Sequence, residues 1–273
     1  MNKTALYGLI LGVFIPVMAY FIMKFIPTNQ MPYRLFYDSV ETTVKNGKES
    51  TDTIWSKVPD FEFTNQLGQK VSWKDMKGKI VVADFFFTRC PVICPQMTRN
   101  MKRLQDAVKK NVKVGPDDAD FVQFISFTVD PTHDSVPELK KFADRFQINP
   151  QNWWLLTGDK KQIYDLALNG MKLGINETEV DSAFIHPQQF VLIDKERVIR
   201  ARRDNLGNVD LYNGLDSNDV KNIAEDLVLL TLEKEKNKKF FLAGELPLIG
   251  VVMGIAVILI TGMAVLFRKK KNL

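Results

Sequence analysis

Two cysteines and two histidines occur in 273 residues, and a formal net charge of +5 is carried without a basic stripe interleaved with aromatics. The first fact excludes a fold stapled by several disulfides, and the second speaks against nucleic acid as a partner. With 45% hydrophobic residues there is ample material for a core, while a mean hydropathy of -0.11 averages two apolar ends with a polar middle.

In chain order, Thr4 to Met23 comes first: 20 residues without a charge, long enough for a helix to cross the hydrocarbon core. It lacks an Ala-x-Ala cleavage site and is longer than the apolar stretch of a secretory signal, so it reads as an uncleaved anchor over 1–26. Residues 27–56, with Pro27, Pro32, Gly47 and Ser50, read as a linker, and the spacing around Leu35 to Val44 permits a short amphipathic helix.

The globular domain is expected over 57–234. Phe61 to Phe63 and Lys70 to Ser72 alternate like strands about a turn at Asn65 to Gly68. Ile80 to Phe87 is a near-continuous apolar run, which predicts a central strand buried on both faces. Met97, Met101, Leu104 and Val108 are spaced for one face of a helix over 95–109. Phe121 to Val129 predicts a second buried strand. Ser135 to Glu138 has capping-box spacing and opens a helix through Phe146. Trp154 to Leu156 predicts a short strand, and Thr157-Gly158-Asp159 caps a helix ending near Gly170. Phe190 to Ile193 and Val198 to Ala201 read as a strand pair. Ser217 opens the last helix, with Val220, Ile223, Leu227 and Leu230 on one face. Strands joined by helical crossovers indicate an α/β fold with parallel strands.

A linker over 235–245 leads to Leu246 to Phe267, a second apolar stretch of 22 residues, and then to a basic tail over 268–273. Arg268 and the three lysines after it predict a cytoplasmic C-terminus. Two spans return the chain to its starting side. The domain between them is therefore expected outside the cytoplasm, on the periplasmic face of the cell membrane.

Cys90 and Cys94 fall between the central strand and its helix, where α/β folds carry ligands and catalysts. Pro91 and Pro95 hold both cysteines away from α geometry. Near the helix N-terminus, Cys94 is expected to favour thiolate, with Arg89 and Arg99 adding positive potential. The C-x-x-x-C spacing suits either a redox couple or two thiolates chelating one ion, and residue chemistry leaves both open. His186 enters the strand that begins at Phe190. In a thioredoxin-like sheet that loop faces the cysteine turn, so His186 is either a third ligand or a loop histidine without a metal role. Two thiolates and one imidazole suit copper, whereas zinc takes a fourth ligand. His133, in Asp130 to Asp134, is the rival ligand, though its place before a helix cap fits a solvated residue better.

The segments Asp84 to Pro95 (DFFFTRCPVICP), Ser126 to Pro131 with Asp134, Trp154 to Gly158, His186 with Phe190 to Asp194, and Tyr212 to Asp216 together resemble the SCO/SenC family of copper-site assembly proteins. The resemblance covers about 58 to 232. It implies a thioredoxin-like fold; the residue pattern adds an N-terminal hairpin and two flanking transmembrane helices, the second of which is not a general feature of the family. It also implies copper held by Cys90, Cys94 and His186, and a partner in the copper-bearing subunit of cytochrome c oxidase. The family's work is either copper delivery or reduction of that subunit's cysteines. For the second, Cys90 and Cys94 would be catalytic, and a thiol reductant would restore them. Many family members carry Val-Asp directly before the histidine. Here Ile185 precedes it, Pro187 follows it, and Val180-Asp181 lies upstream.

Overall fold

The computed structural model describes residues 31–45, 48–110, 121–173, 187–203 and 207–233. Both candidate membrane spans, and His186, lie outside these residues. Among the described residues no helix is long and apolar enough to cross a membrane. The chain divides into two compact units, Met1–Thr231 and Leu232–Leu273, and the sheet belongs to the first.

The strands are β1 (Tyr33–Arg34), β2 (Tyr37–Lys45), β3 (Lys48–Trp55), β4 (Glu62–Asn65), β5 (Lys70–Ser72), β6 (Ile80–Phe86), β7 (Val122–Thr128), β8 (Trp153–Thr157), β9 (Gln189–Ile193), β10 (Ile199–Arg203), β11 (Val209–Asp210) and β12 (Tyr212–Asn213). The helices are α1 (Ile93–Lys110), α2 (Val136–Arg145), α3 (Lys160–Asp165) and α4 (Ser217–Leu232), with a 3-10 turn at Trp73–Met76 and a π turn at Leu166–Gly170.

The main sheet runs β1-β10-β9-β6-β7-β8-β4-β5, with β11 on β10 and β12 on β9. β6, β7 and β8 are parallel, joined through α1 and α2, while β9 lies antiparallel on the other edge of β6. All seven residues of β6 are buried, as are all seven of β7. Strands covered on both faces can be apolar throughout, which explains the unbroken IVVADFF run. Val81, Ala83 and Phe85 face a core with Ile163, Leu166 and Trp73. Ile80, Val82 and Phe86 face the other core, with Met97, Met101 and Leu104 of α1, Leu139 of α2 and Leu227 of α4. Asp84 shares the parity of Val82 and Phe86, and so stands on the α1 side of the sheet.

Two expectations require correction. Tyr33–Arg34, Tyr37–Lys45 and Lys48–Trp55 form strands, where a linker that permits a short helix is expected from sequence. β1 pairs with β10, Tyr33 opposite Ala201, and β2 with β3 makes a separate hairpin. The cause is local. Val40, Thr42, Thr43, Thr51, Thr53 and Ile54 are β-branched, and Asn46-Gly47 is the dipeptide suited to a two-residue hairpin connection. Buried Arg200 also ties the β1 edge down, donating to the Pro32 carbonyl (2.8 Å) and pairing with Asp194 (2.6 Å). The second correction concerns Ser135. It stands at the N-cap of α2 but makes no side-chain cap bond, and the Glu138 carboxylate accepts from Lys141 instead (2.7 Å). Asp159 does cap α3, accepting from the Gln162 amide (2.9 Å).

Candidate functional site

The site is built where β6 ends. The Val129 amide donates to the Phe86 carbonyl (2.9 Å), so the chain leaving β6 stays joined to the chain leaving β7. Asp134, fully buried, accepts from the Thr88 amide (3.1 Å) and from the hydroxyls of Thr88 and Thr128. Asp130 accepts from Arg89 (2.6 Å) and Thr132 (3.0 Å). Burial alone would raise Asp130, but hydrogen bonds from Arg89 and Thr132, with the arginine charge, hold it below the usual carboxylate range. Two carboxylates from the β7–α2 connection therefore clamp the two residues that precede Cys90.

Cys90 closes a turn, its amide donating to the Phe87 carbonyl (3.2 Å). α1 starts at Ile93, so Cys94 lies inside the first helical turn and Pro95 follows it there. The Cys94 amide donates to the Cys90 sulfur (3.4 Å). Cys90 is half-buried and Cys94 is 1% exposed. Burial by itself would raise the Cys90 thiol. Hydrogen bonds from the Cys94 thiol and from the amides of Cys94, Val92 and Ile93 outweigh it and bring Cys90 below the ordinary value. Burial pushes Cys94 well up, and its hydrogen bond to Cys90 and the negative charges at Cys90 and Asp84 add to this. The expectation for Cys94 is corrected, because the shift that favours a thiolate falls on Cys90 and the opposite shift on Cys94. The helix begins two residues earlier than its sequence pattern indicates, so its first amides converge on the cysteine outside the helix rather than on Cys94. Those amides and the Cys94 thiol favour the thiolate, and neither Arg89 nor Arg99 is among the leading causes.

An open cavity of about 620 Å³ lies against Cys90, lined by Thr88, Arg89, Pro91, Pro95, Arg99, Arg145 and Phe146. His133 is exposed in the turn after Asp130. The described residues thus bring together Cys90 and Cys94. They include no group of three or more histidine, cysteine or acidic side chains able to hold a metal. His186 falls outside them, but its neighbour Pro187 is buried and leads directly into β9. β9 runs antiparallel to β6, Ala83 opposite Val191, so its beginning lies at the end of the sheet where β6 gives way to the cysteines. One further tie joins these parts. The Gly214 amide donates to the Gln188 carbonyl (2.7 Å), and the Gly214 carbonyl accepts from Asn100 of α1 (2.8 Å). A Cβ on Gly214 would meet Phe190 at 2.9 Å and the Gln188 carbonyl at 3.0 Å, so only glycine allows this approach.

Sequence reasoning overlooked Asp84, although a lone acid inside an apolar strand is a visible signal. Asp84 is 2% exposed, its Oδ1 has no hydrogen-bond partner among the described residues, and Ser126 is its polar neighbour across the β6–β7 register. Burial pushes its carboxyl up to about 7, against the lowering effect of Ser126. Arg145 and Phe146 were also unforeseen beside Cys90, since α2 brings them there from 55 positions downstream.

The SCO1/SenC family profile matches residues 50–211. The chain is 33% identical over 183 residues to the SCO1 protein homolog of Bacillus subtilis, covering 66% of this chain and 86% of that one. It is 27% identical over 145 residues to a putative copper-binding protein of Stutzerimonas stutzeri, covering 52% of this chain and 67% of that one. Among solved structures it resembles BsSco, a member of the Sco family of cytochrome c oxidase assembly proteins in which a disulfide switch was identified. Identity there is 33% and the TM-score 0.54, over 67% of this chain and 98% of that one. The family match spans more than half the chain, the relatives agree with it, and the paired thiols lie on its thioredoxin-like α/β frame: this chain belongs to the SCO1/SenC family.

Proposed function

We propose that this protein is a membrane-anchored copper carrier that assists assembly of the binuclear copper site of cytochrome c oxidase. Its cargo is held by Cys90, Cys94 and His186. The observation that carries the reading is the thiol pair: Cys90 before α1 and Cys94 in its first turn, hydrogen-bonded together, with the more accessible sulfur the one whose pKa is lowered. Soft sulfur donors with one imidazole suit copper over harder cations. The bond from Gly214 to Gln188, with that from Asn100 of α1 to Gly214, ties the start of β9 to α1. The apolar stretches Thr4 to Met23 and Leu246 to Phe267 supply the anchors, and the tail at Arg268 to Lys271 sets the domain on the periplasmic face. Copper displaces the remaining thiol proton, so affinity falls in acid. The test is copper titration of the full chain in detergent. His186→Ala is expected to weaken Cu(II) binding sharply while both thiols stay titratable. An unchanged Cu(II) spectrum in that variant overturns the ligand assignment.

A second reading, thiol–disulfide reduction of an oxidase subunit, is favoured by the inequality of the two thiols. The Cys90 thiolate would attack a substrate disulfide, form a mixed disulfide and release one substrate thiolate. Cys94 would then lose its proton and attack the Cys90 sulfur, closing a Cys90–Cys94 disulfide and freeing the substrate as a dithiol. A thiol reductant would return the pair to its starting state. This reading predicts turnover that survives His186→Ala.

A further inference from the structure

The cavity beside Cys90 is basic in a way that holding copper does not require. Arg89, Arg99 and Arg145 line it, and among the described residues no acidic side chain does. Arg89 is spent on Asp130. Arg99 rises from α1 into solvent, and among the described residues it makes no ion pair. Arg145, at the end of α2, places its guanidinium carbon over the rings of Phe142 (5.1 Å) and Phe146 (4.8 Å). A guanidinium attracted to ring faces is restrained there while its N–H donors remain available to a carboxylate. Two separate elements, α1 and the end of α2, therefore present exposed cations to the cavity that Cys90 also lines.

We infer that Arg99 and Arg145 dock an acidic peptide segment flanking the thiols of the protein partner, and so set which partner reaches Cys90. This rests on the reading of Cys90 as the sulfur that meets the partner. The open cavity of about 620 Å³ suits a chain segment better than a single small anion, because the carboxylates and the sulfur must arrive together. The two cations come from different helices, which asks for at least two carboxylates spaced along one segment. Arginine matches such groups through paired N–H donors, and opposite charge steers the encounter.

The test uses the reduced full chain in detergent and two fluorescent Cys-x-x-x-C peptides, one flanked by glutamates and one by glutamines. The glutamate peptide is expected to bind about tenfold more tightly, an advantage that shrinks in high salt. Arg99→Gln with Arg145→Gln should abolish that advantage, while copper uptake and thiol titration stay as in the native chain. Both side chains are exposed, so folding is spared, and the double lysine variant should keep part of the preference. Equal binding of the two peptides overturns the proposal, as does a preference that survives Arg99→Gln with Arg145→Gln. Free glutarate competing as well as the glutamate peptide overturns the peptide assignment. If the native chain takes up no copper yet keeps the charge preference, the copper reading falls and the docking surface stands.

Discussion

Cys90 and Cys94 are chemically unequal although they are four residues apart. The α1 amides and the Cys94 thiol all point at the Cys90 sulfur, while the sheet and helix exclude water from Cys94. Alkylation by iodoacetamide, followed by peptide mapping, should modify Cys90 first and at a pH below that of a free cysteine. Cys94 should react only when the chain unfolds. Cys94→Ala removes one donor to the Cys90 sulfur, so the pH of half-maximal Cys90 alkylation should rise. Equal reactivity of the two thiols in the native chain would falsify this account. The pair itself was legible, because prolines bracket it and an apolar strand precedes it. Which sulfur ionises was not, because that depends on where the helix begins, and Ile93 lies outside the helical pattern of methionines and leucines that marks α1.

At the scale of elements, the loop entering β9 is fastened to α1 through a single glycine. Gly214→Ala must displace either the Phe190 ring or the Gln188 carbonyl, a cost of about 1–3 kcal/mol. Urea denaturation should show that loss, and hydrogen exchange should rise at Gln188 and Gln189 more than in β7. Exchange confined to α4 would argue against the fastening. The segment Tyr212 to Asp216 stands out in the sequence through its family resemblance, and its partner, 114 positions from Gly214 at Asn100, follows no local rule. β4 to β10 and α1 to α4 were readable from periodicity and turn residues, whereas β11 and β12, two residues each, were not. β2 and β3 were not read as strands, because polar residues fill their exposed faces and only the β-branched content and Asn46-Gly47 mark them.

For the whole molecule, Asp84 makes stability depend on pH. Its native value of about 7 lies above the 3.8 of an unperturbed aspartate, so the folded chain keeps a proton that the unfolded chain releases between them. That contribution is complete below about pH 4 and is lost as pH rises towards 7. Asp84→Asn cannot ionise. It should therefore be more stable than the native chain near pH 8, by an amount on the order of a few kcal/mol, and indistinguishable below about pH 4. Denaturation midpoints at the two pH values decide it; a variant that is less stable near pH 8 would show that the carboxylate is favoured where it stands. The sheet centre also has a consequence in time. β6 and β7 are parallel and cannot meet until α1 has crossed between them, whereas the neighbouring hairpins need only close short turns. During that interval both sulfurs are equally open to oxidants. Docking of α1 ends it for Cys94 alone, so a chain folding in an oxidising compartment runs a race between closing its core and closing a disulfide.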